Sequence, residues 1–221
     1  MSCWALLALK PFDCGKSRLA RVLSPAQREA LIRTMLDRVI HAVEGSRDIT
    51  GIAVVTQEMG TLPAAVLALP DRGLGLNQAI AGGKRTLVAR GARELLVLHP
   101  DLPLLVSDEI DTLIARGRHT GLALAPDRHD NGTNALFLSL PNEFDFCFGT
   151  ISFERHLSEA RKRGLDPTIV RLPGLGLDID EPADLAALRD RPFALAGGTW
   201  NSMIWTSNCN DCSHWPATGH G

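Results

Sequence analysis

Short apolar runs alternate with longer amphipathic stretches along most of the chain, and this alternation constrains the fold more than any other feature. Trp4 to Leu9, Ile52 to Thr56, Glu94 to His99, Leu122 to Ala125, Ala135 to Leu138 and Thr168 to Arg171 have the length and composition of strands. Ser24-Pro25-Ala26-Gln27 has the form of a capping box with proline at the first helical position, so a long helix is expected to follow to about Val43. Leu76 to Ala89, Asp108 to Arg116, Phe153 to Lys162 and Ala183 to Leu188 carry helical patterns. Strands alternating with helices predict an α/β fold, a single three-layer Rossmann-like domain with a mostly parallel sheet. Its ligand is expected outside the carboxyl ends of the strands.

With 221 residues, 45 % of them hydrophobic, the chain can bury one substantial core, and residues 1–191 are expected to form it. A net charge of −2 gives no sign of bulk nucleic-acid binding and points to small-molecule partners. Cys3, Cys14, Cys147, Cys209 and Cys212 are odd in number and scattered, which is no disulfide framework. No apolar run approaches the ~20 residues of a membrane span, and the chain reads as cytoplasmic with no membrane partner. Residues 192–221 read as an irregular appendage: from Phe193 onward Asp211 is the only charge, and three of the four tryptophans lie there. Cys209-x-x-Cys212 with His214 and His220 supplies zinc-type ligands but lacks a second CxxC or a spaced histidine pair, so a loose or partner-dependent tail is expected. Oligomeric state is not legible in the sequence.

The chemistry concentrates at strand ends. Asp178 and Asp180 flank Ile179 in Leu177-Asp178-Ile179-Asp180-Glu181-Pro182. In extended backbone residues two apart share a face, so both carboxylates can aim at one point while Ile179 turns inward. Asp101 follows the strand Glu94 to His99. Carboxylates are hard oxygen ligands suited to Mg²⁺, which completes its shell with water and substrate phosphates. After the first strand, Lys10, Lys16 and Arg18 place three cations where a triphosphate's leaving group would gather charge. Gly15-Lys16-Ser17 suggests a Walker A loop, but Lys10 stands where that motif needs glycine and the helix begins too late to meet a phosphate there. Phe148-Gly149-Thr150-Ile151-Ser152-Phe153 runs into a helix, so its N–H groups and Ser152 can hold an anion.

The ordered set Lys10-Pro11, Gly15 to Leu19, Gly75-Leu76-Asn77, Asp101 to Leu104, Asp127-Arg128 with Gly132 to Leu136, Phe148-Gly149 with Ser152-Phe153 and His156, and Leu177 to Pro182 with Asp184-Leu185 resembles the 2-phospho-L-lactate guanylyltransferase family (CofC/FbiD) over about residues 3–190. The resemblance implies a nucleotidyltransferase fold. It also implies transfer of GMP from GTP to a phosphorylated three-carbon acid in coenzyme F-420 biosynthesis. On that pattern Asp101, Asp178 and Asp180 hold Mg²⁺, and Thr133, Gly149 and Ser152 hold the acceptor. Lys16 and Arg18 face the triphosphate, while Lys10 and Gly75, Leu76 and Asn77 lie near the nucleotide. His99 stands where the family has a small or polar residue, and Ile151 where it has glycine. A branched Ile151 is expected to stiffen the loop and remove access to φ > 0. The pocket would thereby turn from 2-phospho-L-lactate toward phosphoenolpyruvate or 3-phospho-D-glycerate. His156 is expected to be structural. A P-loop GTPase or phosphotransferase and a non-catalytic nucleotide-binding module are the competing readings.

Overall fold

The computed structural model describes residues 2–12 and 15–188, together with the backbone of residues 194–195 and 198–199. The chain runs β1 (Cys3–Leu9), α1 (Pro25–Glu44), β2 (Ile49–Thr56), β3 (Val66–Pro70), α2 (Leu76–Ala89), β4 (Glu94–Leu98), α3 (Ser107–Thr120), β5 (Leu122–Pro126), β6 (Thr133–Ser139), α4 (Ser152–Lys162), β7 (Thr168–Ile169), α5 (Pro173–Gly176) and α6 (Pro182–Ala187). Ala194–Leu195 and Gly198–Thr199 form a small antiparallel pair, β8 and β9. The rest of the expected appendage, with Cys209, Cys212, His214 and His220, lies outside the described residues, as do Asp13 and Cys14.

Seven strands form one sheet in the order β3-β2-β1-β4-β6-β5-β7. Every pairing is parallel except those of β6, which runs antiparallel to β4 and β5. Strands β2 and β3 lie on one side of β1, whereas β4 crosses to the other. The chain therefore changes direction of progress between β1 and β4, and a crevice opens outside their carboxyl ends at that switch point. Reversal of β6 brings its first residues, Thr133 and Asn134, to the same edge.

Alternation along the strands divides the core between two faces. Ala5, Leu7, Leu9, Leu96 and Leu98 pack with Leu36, Val39 and Val43 of α1 and Ile110, Leu113 and Ile114 of α3. Leu6, Leu95 and Val97 face the other way, onto Ile80 and Leu87 of α2 and Phe153 and Ala160 of α4. Helix α1 begins as its sequence predicts: Ser24 Oγ accepts from the Gln27 amide at 3.3 Å and Gln27 Oε1 accepts from the Ser24 amide at 2.8 Å. The edge strand β3 is an addition to the expected elements, hidden in an Ala-Leu-Pro segment with no clear alternation. The four-residue α5 is another addition, and β7 spans two residues rather than the expected four.

A third apolar cluster decides how the site is assembled. Leu19 and Leu23, around a 3-10 turn over Ser17–Arg21, pack with Leu31 and Met35 of α1 and with Leu177, Ile179, Leu185 and Leu188 near the end of the domain. Ile179 is fully buried, as the spacing of the two aspartates beside it predicts. This cluster ties the cationic loop after β1 to the acidic segment 178–180. Ile179→Ala is expected to cost about 2–4 kcal/mol by leaving a cavity there. In thermal unfolding this reads as a midpoint lowered by roughly 5–15 °C, and a change under about 2 °C would show that the cluster does not bear on stability.

Candidate active site

At the switch point Lys16 reaches across the crevice. Its backbone is left-handed (φ 54°), at the start of the 3-10 turn, and its ammonium pairs with Asp101 Oδ2 and, at 2.8 Å, with Asp180 Oδ1. The side chain is only 9 % exposed. Burial alone would lower the lysine's pKa, but the two carboxylates outweigh it and hold the ammonium firmly charged. For Asp101, burial acts to raise the pKa, and Lys16 with His99 overcomes it, so the carboxyl titrates below its usual range. Asp178 goes the other way: burial first, then the neighbouring charges of Asp101 and Asp180, push it up, and its hydrogen bond from Asn134 only partly compensates. Two of the three carboxylates, those of Asp101 and Asp180, thus share a single buried ammonium, and Asp178 stands near them on Asn134. Asp101 Oδ1 and His99 Nε2 are both shut off from solvent with no hydrogen-bond partner among the described residues.

A surrounding set of polar residues fixes the carboxylates. Asn134, second residue of β6, donates from Nδ2 to Asp178 Oδ1 (3.2 Å) and to the Leu175 carbonyl (3.0 Å). Asp184 Oδ2 accepts from the amides of Asp180 (2.9 Å) and Glu181 (2.7 Å), forming the capping box of α6, while Arg128 pairs with its other oxygen. The Arg128 amide also donates to the Gly176 carbonyl at 2.8 Å. Residues 127–132 are themselves folded around Asp127, whose oxygens accept from the amides of His129, Asn131 and Gly132 at 2.9, 2.9 and 2.6 Å.

On the far side of the crevice lies an aromatic loop. Asn77, in the first turn of α2, clamps Phe148 by both backbone groups: Nδ2 donates to its carbonyl (3.0 Å) and Oδ1 accepts from its amide (2.8 Å). His156 is fully buried against Phe144 and Phe148, with centroids 5.9 and 4.7 Å away. Its Nε2 accepts from the Cys147 amide at 2.9 Å, so in the neutral ring Nδ1 carries the hydrogen and donates to Thr133 Oγ1 at 3.0 Å. Burial, helped by His99 and Arg155, lowers the His156 pKa to about 3, so the ring stays neutral and acts as a strut between β6, α4 and the loop.

The profile of the guanylyl transferase CofC-like family matches residues 3–189. The chain belongs to that family. It is 40 % identical over 192 residues to the phosphoenolpyruvate guanylyltransferase of Sphaerobacter thermophilus, covering 85 % of this chain and 93 % of the relative. Its identity to the phosphoenolpyruvate guanylyltransferase of Rubrobacter xylanophilus is 36 %, over 85 % of this chain and 94 % of the relative. Among solved structures, a protein of Desulfovibrio desulfuricans G20 provisionally described as a nucleotide-diphospho-sugar transferase superposes with a TM-score of 0.70 at 14 % identity, covering 87 % of this chain and 90 % of that one. A nucleotidyl transferase from Methanothermobacter thermautotroptrophicus gives 0.62 at 15 % identity, over 86 % and 96 %. The fold is that of the nucleotidyltransferases.

Within the CofC-like chain the residues singled out by sequence fall into two groups. Lys16, Asp101, Asp178 and Asp180 converge on the crevice, with Arg18 close by, 3.4 Å from Glu181, and Lys10 exposed just after β1. No group of three His, Cys, Asp or Glu residues among those described is gathered tightly enough to hold a metal ion, and the Lys16 ammonium lies between two of the carboxylates. On the loop side, several polar groups are already engaged. Thr133 is fully buried on His156; both amide atoms of Asn77 are committed to Phe148; and the amides of Ser152 and Phe153 donate to Gly149 and Asn131 carbonyls. Ser152 is buried, Leu76 packs against the second core, and Gly75 (φ 93°) and Gly149 (φ 121°) have open space where a Cβ would stand. Asn134, Asp184, Arg128 and His156 were not predicted as site residues. Asn134 and Arg128 stand inside the recognised segment 127–136, yet only the fold reveals that they hold the acidic segment. The Walker A reading fails on geometry: a 3-10 turn follows Lys16, and α1 starts only at Pro25.

Ile151 corrects an expectation. Rather than excluding positive φ, it adopts it (φ 50°, ψ 36°) at the N-cap of α4, with the residue 52 % exposed. A β-branched residue in the left-handed region is strained, on the order of 1–3 kcal/mol. Ile151→Gly is expected to relieve that strain and, after the entropy glycine adds to the unfolded chain, to stabilise the protein by about 1 kcal/mol. A melting point raised by roughly 2–4 °C would agree; a lowered one would mean that the isoleucine packs usefully in the loop.

Proposed function

We propose that this protein transfers GMP from GTP to a phosphorylated three-carbon acid, with phosphoenolpyruvate foremost, and releases pyrophosphate, as an early step of coenzyme F-420 biosynthesis. The observation that carries the reading is Lys16 bridging Asp101 and Asp180 at the switch point of the sheet. Family membership and the phosphoenolpyruvate guanylyltransferases among its relatives support the nature of donor and acceptor.

The donor chemistry suits Mg²⁺, although the three carboxylates are not gathered on one point while Lys16 lies between Asp101 and Asp180. Asp101, Asp178 and Asp180 offer only carboxylate oxygens, and Asp101 Oδ1 is buried without a partner, a cost that a cation would remove. These three residues would hold the ion, which when bound supplies charge neutralisation and polarisation of the phosphate under attack. In the resting protein Lys16 stands in as the counter-charge. On arrival of the nucleotide its ammonium would exchange carboxylates for phosphate oxygens, and with Arg18 it would stabilise the departing pyrophosphate. An acceptor phosphate monoester has a second pKa near ~6 and is mostly dianionic at neutral pH. One of its oxygens attacks the α-phosphorus, the bond to the β-phosphate bridge oxygen breaks, and no strong general base is required. The chain's remaining task is alignment: Asp184, Arg128 and Asn134 hold the acidic segment, and the Asn77 clamp with the His156 strut holds the Phe148 loop across the crevice from it.

Pyrophosphate release with GTP, Mg²⁺ and equal concentrations of phosphoenolpyruvate, 3-phospho-D-glycerate and 2-phospho-L-lactate tests the reading, with products identified by mass. Guanylated phosphoenolpyruvate is the expected main product; orthophosphate release, or transfer to a sugar phosphate alone, would overturn it. Asp101→Asn is expected to lower turnover at least ~100-fold with the fold retained by circular dichroism, and Lys16→Ala to lower kcat at saturating GTP. Near-normal turnover of Asp101→Asn in Mg²⁺ would remove Asp101 from the metal site.

A further inference from the structure

The ammonium of Lys16 stands where a cation shared by Asp101 and Asp180 would stand. It pairs with Asp101 Oδ2 and, at 2.8 Å, with Asp180 Oδ1. The other oxygen of Asp101, Oδ1, is shut off from solvent, so in the resting protein Asp101 offers an incoming ion no free oxygen. Asp178 is engaged elsewhere, its Oδ1 accepting from Asn134 Nδ2 at 3.2 Å. Mg²⁺ demands near-octahedral oxygens at about 2.0–2.1 Å, and a positive nitrogen already seated on two of the carboxylates denies it both the ligands and the charge balance. The backbone cannot carry the lysine away: Lys16 is left-handed (φ 54°), its carbonyl accepts from the Leu19 amide at 3.0 Å, and Leu19 and Leu23 are packed against Leu177 and Ile179. Only the side chain can move. An ammonium that is 9 % exposed and gives up two carboxylates needs other negative oxygens in exchange, and phosphate groups supply them.

We propose that Lys16 gates the metal site: seated between Asp101 and Asp180 it keeps a divalent cation out of the resting protein, and a ligand bearing phosphate groups opens the site by taking the ammonium. The inference rests on the metal site proposed above and adds an order of events to it. The ion enters with the phosphate ligand, not before it. By linkage, a ligand that draws the ammonium off the two carboxylates favours the ion by as much as the ion favours that ligand.

Mn²⁺ takes the same hard oxygen ligands, and its uptake by the full chain can be followed by equilibrium dialysis and electron paramagnetic resonance. Without any phosphate ligand, Lys16→Met, which keeps the length of the side chain and removes its charge, is expected to bind Mn²⁺ at least about tenfold more tightly than the unaltered chain. Adding Asp101→Asn to Lys16→Met is expected to cancel that gain. Arg18→Met removes the same charge from a side chain 69 % exposed, where water and salt screen it, and is expected to leave Mn²⁺ affinity within about twofold of wild type. Equal affinity of Lys16→Met and the unaltered chain, a gain that survives Asp101→Asn, or an equal gain from Arg18→Met would each overturn the gate. The unaltered chain decides the matter even if Lys16→Met fails to fold. Dialysed against Mn²⁺ at about 10 µM, within the range of dedicated protein cation sites, it is expected to take up little ion alone and about one equivalent or more once GTP is present. Equal uptake with and without GTP would sink the gate and leave the metal site standing; no uptake even with GTP would remove the metal site and the gate with it.

Discussion

Asp101 and Asp180 cannot be drawn together at the mouth of a crevice unless something positive is drawn in with them, and here that something is the ammonium of Lys16. Burial first, and then the like charges of Asp101 and Asp180, raise the pKa of Asp178. A buried ion pair contributes little net stability after desolvation, so the bridge from Lys16 to Asp101 and Asp180 is better understood as a device that holds an acidic site closed and charge-balanced than as a source of fold stability. Much of the surrounding architecture serves that device. The left-handed backbone at Lys16 aims the side chain, Leu19 and Ile179 bring its loop and the acidic segment together, and Asp184 holds the turn that carries Asp180.

How much of this could be read from the chain alone depends on whether the information is local. The alternation of strands and helices, the Ser24 capping box and the inward turn of Ile179 between two outward aspartates follow from side-chain periods and short-range hydrogen bonds, and the structure contains all three. The direction of β6 does not follow, because an apolar run reads the same in either direction; only pairing with β4 and β5 decides it. Strand β3 escaped notice because an edge strand ending in proline has neither alternation nor a full hydrogen-bond ladder to demand.

At the candidate site the same boundary applies. Residue types and their place at strand ends sufficed to select Asp101, Asp178, Asp180 and Lys16. Which polar atom meets which partner is a matter of three dimensions. Asn77 and Thr133 carry groups suited to a ligand, and in this structure those groups meet Phe148 and His156. Ile151 is a case where a local rule was overridden: propensity forbids the left-handed region to a β-branched residue, and the entry into α4 imposes it regardless.

The partners at the centre of the site stand 164 positions apart, Lys16 near the beginning of the chain and Asp180 near the end of the domain. A protein emerging from the ribosome folds from its amino end, and contacts of such separation close last. The parallel strands β1, β2, β3 and β4 can pair and collect α1 and α2 while the acidic segment is still unmade. Until residues 177–188 arrive, Leu19 and Met35 lack the apolar partners they cover in the finished molecule, and the lysine lacks one of its two carboxylates. The charge-balanced bridge at the centre of the site is therefore withheld from every nascent or truncated form that stops short of that segment, so its closure reports that the far end of the domain has been made.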